Sequence, residues 1–346
     1  MGLHMGEKRL GRTLLALGLG IALSGIWPAR EALAGTLQEV KARRDVRCGV
    51  FPDDPGRSAI DKSGRWAGFY VDFCRAVAAA VLGNPDFVTY VEVGPETRFT
   101  SLVEKKTDVV MYSSTWTLSR ESRYHVAFPA IYLFDGQGFM VRKRSAIRSV
   151  DDLDGKTVCV TENTTTHANL QNLITRRGFK TKVVFANGDA FFRGSCDAYS
   201  ADAMNLAVNR AHRADNPADY EILAERISRE PVSPAVRDDD AQWLRIVRTV
   251  VHALILAEEL GISRDNVERQ RQGRHSPEAE ALLGQTPFLG EQLGLEGSWS
   301  LQMLKAVGNY GEIYNRNFGS GSPIGMERGL NRPWSQGGVL FAPLFK

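Results

Sequence analysis

The chain has 346 residues, 43% hydrophobic and 24% charged, a globular balance that excludes collagen-like, coiled-coil and largely disordered chains. With 43 basic residues against 40 acidic ones, the net charge of +3 gives no broad field for nucleic acid. At about 150 residues per domain, the length predicts two domains.

Residues 1–34 read as a secretory leader. Lys8, Arg9 and Arg12 make a basic start, residues 14–27 are apolar, and Ala32-Leu33-Ala34 before Gly35 is a small-x-small cleavage pattern. The apolar run is shorter than the ~20 residues of a spanning helix, and no cysteine follows it before Cys48. The mature chain is expected to be exported, soluble and nearly neutral. Its four cysteines, Cys48, Cys74, Cys159 and Cys196, are an even set in an oxidising compartment, which predicts two disulfides. Of the three pairings, Cys48–Cys74 with Cys159–Cys196 is preferred, one staple per domain. Without a CxxC pair or a His beside any Cys, zinc is not expected.

In chain order, residues 46–51 (VRCGVF) predict a buried strand, followed by a turn-rich stretch at 52–56. Residues 71–81 carry apolar groups at helical spacing, with Gly83 as the stop. A strand at 87–93, a short helix at 98–105 and a strand at 108–111 complete a β-α-β-α-β order, which argues for parallel strands. Residues 128–141, with Gly136 and Gly138, suit a crossover to a second α/β unit. That unit has strands at 157–160, 182–185, 196–199 and 220–223 and a helix from about 163 to 177. Residues 231–236 read as the crossover back, and Asp238-Asp239-Asp240 opens a long helix to about Leu260, its acidic start complementing the positive helix end. Amphipathic helical segments and a Gly-rich stretch occupy the remainder.

The chemistry-bearing residues fall at strand ends, where ligands collect in open α/β sheets. Thr115 and Arg120 lie at and beyond the end of the 108–111 strand, and Arg offers a planar fork of donors to a carboxylate. Asn163 to Thr166 start a helix directly after a strand, a place for an anion; capping is the simpler role for Thr164 and Thr165. Asp202 follows the strand 196–199 and suits an ammonium or, more simply, a turn or cap. One Arg, two hydroxyl clusters and one Asp together complement a zwitterion.

Several long stretches resemble a known family: 71–81 (VDFCRAVAAAV), 115–120 (TWTLSR), 135–143 (DGQGFMVRK), 196–199 (CDAY), 230–231 (EP), 234–237 (PAVR), 257–261 (AEELG) and 306–313 (AVGNYGEI). The chain resembles the general L-amino-acid-binding periplasmic proteins of ABC importers, within the type II periplasmic binding proteins. The resemblance implies an α/β fold of two lobes, each a mostly parallel sheet flanked by helices, joined by two hinge strands and closing over one amino acid. It divides the chain into a leader (1–34), lobe 1 (35–135 and 234–275), lobe 2 (136–233) and a C-terminal extension (276–346) packing on lobe 1. By the same resemblance Arg120 pairs with the ligand carboxylate, aided by Thr115 and Thr165. Asp202 accepts from the ammonium, aided by Ser113, and Trp116 packs on the ligand, the hinge or the core. The chain departs from the family pattern at Tyr70 (an acidic position), at Asn163 (a glycine position), in the 51–55 loop and in a shortened helix between 185 and 196. Asp53 and Asp54 read first as turn caps, second as partners for a cationic side chain.

The expected function is capture of a free L-amino acid and delivery to an importer permease, as a monomer without cofactor and without catalysis. The rival readings are a degenerate sensor or accessory subunit, and a periplasmic lyase of the same fold drawing on His125, His167, His212 and Glu162.

Overall fold

The computed structural model describes residues 35–286 and 288–345; the leader and its cleavage site lie outside the described residues. Val46–Val50 is the middle strand of a three-stranded parallel sheet, between Val88–Glu92 and Val109–Val110. Val46, Cys48, Val50, Val109 and Val110 are fully buried, which is what a run apolar on both faces requires. The helix Phe69–Leu82 covers the sheet and ends at Gly83, whose positive φ of 69° lets its N–H reach the Ala79 carbonyl. Before that helix, Gly68 has φ 131°, and a Cβ there would sit 2.4 Å from the Arg57 carbonyl, so only glycine fits.

The second sheet has five strands, in the order Lys182–Phe185, Thr157–Val160, Ala198–Asp202, Gln137–Arg142, Tyr220–Ile222. The first three run parallel, and Gln137–Arg142 runs antiparallel to both of its neighbours, so Tyr220–Ile222 points the same way as the first three. This adds to the expected pattern. The glycine-punctuated run at 128–141 does cross between sheets, but its second half is itself an inner strand, with Gln137 to Val141 all buried. Two antiparallel strand pairs link the halves: Leu133–Asp135 with Glu230–Val232, and Val126–Ala127 with Val236–Arg237.

The C-terminal helices Trp299–Val307 and Tyr310–Asn317 share one core with Phe69–Leu82 and Ala241–Glu259. Arg316 Nε donates to Asp72 at 2.8 Å, and Arg328 pairs with Glu258. The tail also reaches the crossover. Asn331 Oδ1 accepts from the Phe134 N–H at 2.7 Å, and its Nδ2 donates to the Phe134 carbonyl at 2.9 Å.

Both disulfides pair as expected, Cys48–Cys74 and Cys159–Cys196, across 26 and 37 residues. The first ties a strand to the helix that covers it and the second joins two neighbouring strand segments, so each removes chain entropy from the unfolded state of its own half. Replacing Cys159 and Cys196 by Ser is expected to cost about 2–4 kcal/mol, read as a lower urea midpoint.

Candidate functional site

The ends of Val109–Val110 and Ala198–Asp202 converge on a cavity of about 80 Å³ lined by Arg98, Ser113, Arg120, Thr164, Thr165, Thr166, Asp202 and Asn205, among others. Arg120 projects from the short helix Leu118–Tyr124, whose first turn is fixed by Thr117 accepting the Arg120 N–H at 3.2 Å. Its Nη1 donates to the Thr115 carbonyl at 2.6 Å, and the guanidinium lies 5.7 Å from the Phe99 ring centroid. Burial, with the nearby charge of Arg98, lowers its pKa to about 10. Among the described residues this guanidinium has no ion-pair partner.

Arg98 was not singled out by the sequence, where it reads only as the start of an amphipathic helix. It is 3% exposed and lies between the Phe99 and Tyr112 rings, 4.9 and 5.0 Å from their centroids. Its Nε finds no hydrogen-bond partner among the described residues, and burial lowers its pKa. Two desolvated cations therefore face one small cavity, an arrangement that favours an anionic ligand group.

The opposite wall has the reverse polarity. Asp202 closes its strand and precedes the helix Ala203–Arg213, yet its side chain makes no capping bond, and Oδ1 is buried without a partner among the described residues. The simpler capping role is thereby set aside. Burial, then the neighbouring carboxylates Asp135 and Glu230, raise its pKa well above the ordinary range. Asp135, held by the N–H groups of Gly136 and Met204, is itself raised by burial to about 6. Glu230 is 2% exposed and accepts from Asn169 and Ser228. Three crowded carboxyl groups, one of them unpartnered, favour a cation.

The helix Thr165–Arg177 starts at the same cavity. Thr164 is its cap, accepting from the His167 N–H at 3.2 Å, so the capping role is real for Thr164. Thr165 is left over: its Oγ1 lies 3.4 Å from Thr115 Oγ1 across the cleft. By position the first-turn N–H groups of this helix have no intrahelical acceptor. Asn163, at the family's glycine position, has φ 58°. Asn tolerates this left-handed conformation, so the substitution keeps the loop's path.

Ser113 lines the cavity, but its hydroxyl is engaged by Arg57 Nη1 at 3.1 Å and Tyr70 Oη at 2.7 Å. Tyr70, at the lost acidic position, thus holds the strand end. Trp116 is not brought to the cavity. Its indole stacks on Phe128, with centroids 6.3 Å apart, and faces a separate groove beside Phe128, His252 and Phe341, so core and hinge packing win over ligand contact. Among the described residues no histidine lines the cavity: His125 lies 3.7 Å from Asp238, and His167 packs edge-on against Phe185. Glu162 is exposed.

A second chamber of about 390 Å³ adjoins the first, and both share Pro95, Tyr112, Ser113, Thr161 and Asn205 as walls. Its charges come in pairs. Asp54 and Arg57 are buried together at 2.6 Å, which is neither turn capping nor a free site for a cation. Arg213 spans from the second half to Asp53 of the first at 2.9 Å and lies 3.5 Å from Asp189.

Residues 46–263 match the bacterial extracellular solute-binding proteins, family 3. The chain is 43% identical to the glutamate/glutamine/aspartate/asparagine-binding protein BztA of Rhodobacter capsulatus, covering 92% of this chain and 95% of that one. It is 41% identical to the general L-amino acid-binding periplasmic protein AapJ of Rhizobium johnstonii, over 95% of this chain and 98% of that one. The solved periplasmic binding protein of an ABC transporter from Brucella ovis, with glutathione bound, superposes with a TM-score of 0.86 at 38% identity, over 90% of this chain and 99% of that one. The architecture is that of the type II periplasmic binding proteins. With two lobes, paired crossovers and relatives that match nearly end to end, the chain belongs to the bacterial extracellular solute-binding proteins, family 3.

Proposed function

We propose that the protein is a periplasmic receptor that captures a free L-amino acid between its lobes and delivers it to an ABC importer. The observation that carries this reading is the polarity of the small cavity. Arg120 and Arg98 are short of an anion on one wall, and Asp202 is short of a cation on the other. One α-carboxylate and one α-ammonium on the same carbon satisfy both. Glutamate, glutamine, aspartate, asparagine and glutathione, the ligands in the relatives' names, all carry that pair.

In this reading Arg120 and the Thr165 helix start hold the carboxylate, with Thr115 beside them. Asp202 takes the ammonium, with the Ser113 carbonyl as a second acceptor. The lobes run 35–135 with 234–275 and 136–233, and the 276–346 extension packs on the first. Because ligand groups bind both lobes only when these approach, the ligand favours closure. The closed monomer then docks on permease subunits, and no covalent step is needed. Calorimetry with a panel of amino acids, together with product analysis, tests the reading. Saturable 1:1 heats without product are expected; silence across the panel, or product formation, overturns it.

A pH dependence follows. Asp202 has a raised pKa in the free protein, so a proton competes with the ligand ammonium for it. Binding then releases a proton, and affinity is expected to fall as pH drops through the raised range, above the ordinary carboxylate value. Titration in buffers of different ionisation heat reads the release directly; a pH-independent affinity between pH 5 and 8 is the contrary result.

A further inference from the structure

Two departures from the family pattern, the 51–55 loop and the short helix between 185 and 196, meet at one side chain. Arg213 ends the helix Ala203–Arg213 of the second half. Its Nη2 donates to the Asp53 carbonyl at 2.8 Å and to the Asp53 carboxylate at 2.9 Å, both in the first half. Its Nη1 lies 3.5 Å from Asp189, on the helix Gly188–Phe192 of its own half. Among the described residues this is the one ion pair that joins the halves. Two other contacts between them, Thr115 with Thr165 and Asn163 with Glu96, are both 3.4 Å long and carry at most one charge.

Both ends of the pair are held in place. Asp54 is buried against Arg57 at 2.6 Å, its carbonyl accepts the Arg57 N–H at 2.9 Å, and Ser58 Oγ donates to the Phe51 carbonyl at 2.7 Å. The loop therefore offers Asp53 from a fixed position. On the other side Asp189 travels with Arg213 and steadies the guanidinium whether or not the halves are together. The Asp53 side chain is 74% exposed and that of Arg213 27%, so the pair adds little to folding. Between two halves that hinge, the same small preference acts on the open–closed equilibrium and passes directly into ligand release. Asp53, Asp189 and Arg213 stand at the walls of the larger chamber, and none of them lines the head-group cavity. Resting on the receptor reading above, we propose that Arg213 is a latch: by gripping Asp53 it holds the cleft shut over a bound amino acid and slows its release, acting as a positioning residue that makes no contact with the ligand.

Stopped-flow dissociation from the full mature chain tests this, with glutamate, glutamine and any other amino acid of the panel that binds. Arg213→Gln and Asp53→Asn are each expected to speed release about twofold to fivefold, by the same factor for every ligand, and the double variant by no more than either single one. Salt at about 1 M is expected to erase the difference between native chain and variants, because it screens an exposed pair. Urea midpoints are expected to stay near the native value. Release unchanged in both single variants overturns the latch and leaves the receptor reading intact. An effect confined to glutamate, which makes Arg213 a ligand contact, overturns it as well, and so do additive effects in the double variant. If the native chain binds no amino acid at all, the receptor reading fails and the latch falls with it.

Discussion

Replacing Arg120 by Ala is expected to abolish amino-acid binding while the protein stays folded. In the proposed complex the guanidinium gives the carboxylate two charge-assisted hydrogen bonds, worth about 1.5–3 kcal/mol each, so affinity is expected to fall at least about 100-fold. In the free protein the same group is a half-buried cation whose one side-chain hydrogen bond among the described residues goes to the Thr115 carbonyl. Its loss therefore leaves little unsatisfied, and the thermal midpoint should hold. Lys in its place restores charge but not the fork, and a partial recovery is expected. Affinity unchanged in the Ala variant would remove Arg120 from the site.

Asp202→Asn carries the second large effect, in two opposite directions. Binding is expected to weaken by about 2–5 kcal/mol, because the ammonium loses its buried counter-charge. Stability of the free protein is expected to rise. A carboxyl group with a raised folded pKa contributes stability at low pH that is lost as pH climbs through that value. At neutral pH the native side chain is a liability beside Asp135 and Glu230, and the neutral amide relieves it. Differential scanning calorimetry at pH 7.5 should show a higher midpoint in the variant and a smaller difference at pH 4. A lower midpoint at pH 7.5 would mean that Asp202 is stabilised by partners in the free protein.

These residues were legible in the sequence for a common reason. Asp202 ends its strand, Thr165 opens the helix after a strand, and Arg120 lies on the helix beyond one, and strand ends are marked by apolar runs that stop. Cys48 and Cys74 were pairable because a buried strand and the helix after it pack face to face. Arg98 and Trp116 were not legible. Arg98 opens a helix of ordinary amphipathic appearance, and its burial depends on Tyr112, which follows a later strand. The direction of Trp116 is set by Phe128, a residue of a different segment. Strand direction in the second sheet was hidden as well. A buried run such as 137–142 is equally apolar whichever way its neighbours travel.

The bidentate grip of Asn331 on the Phe134 backbone bears on timing. Pro231, opposite Phe134, has no N–H to give, so a side-chain amide from the far end of the chain acts as an extra rung on the crossover. Tyr310 adds a bond to the Tyr132 carbonyl at 2.8 Å. Any swing of the halves that flexes this crossover strains those bonds. In the receptor reading proposed above, the residence time of a captured molecule is expected to depend partly on this tail, and replacing Asn331 by Ala is expected to change the dissociation rate.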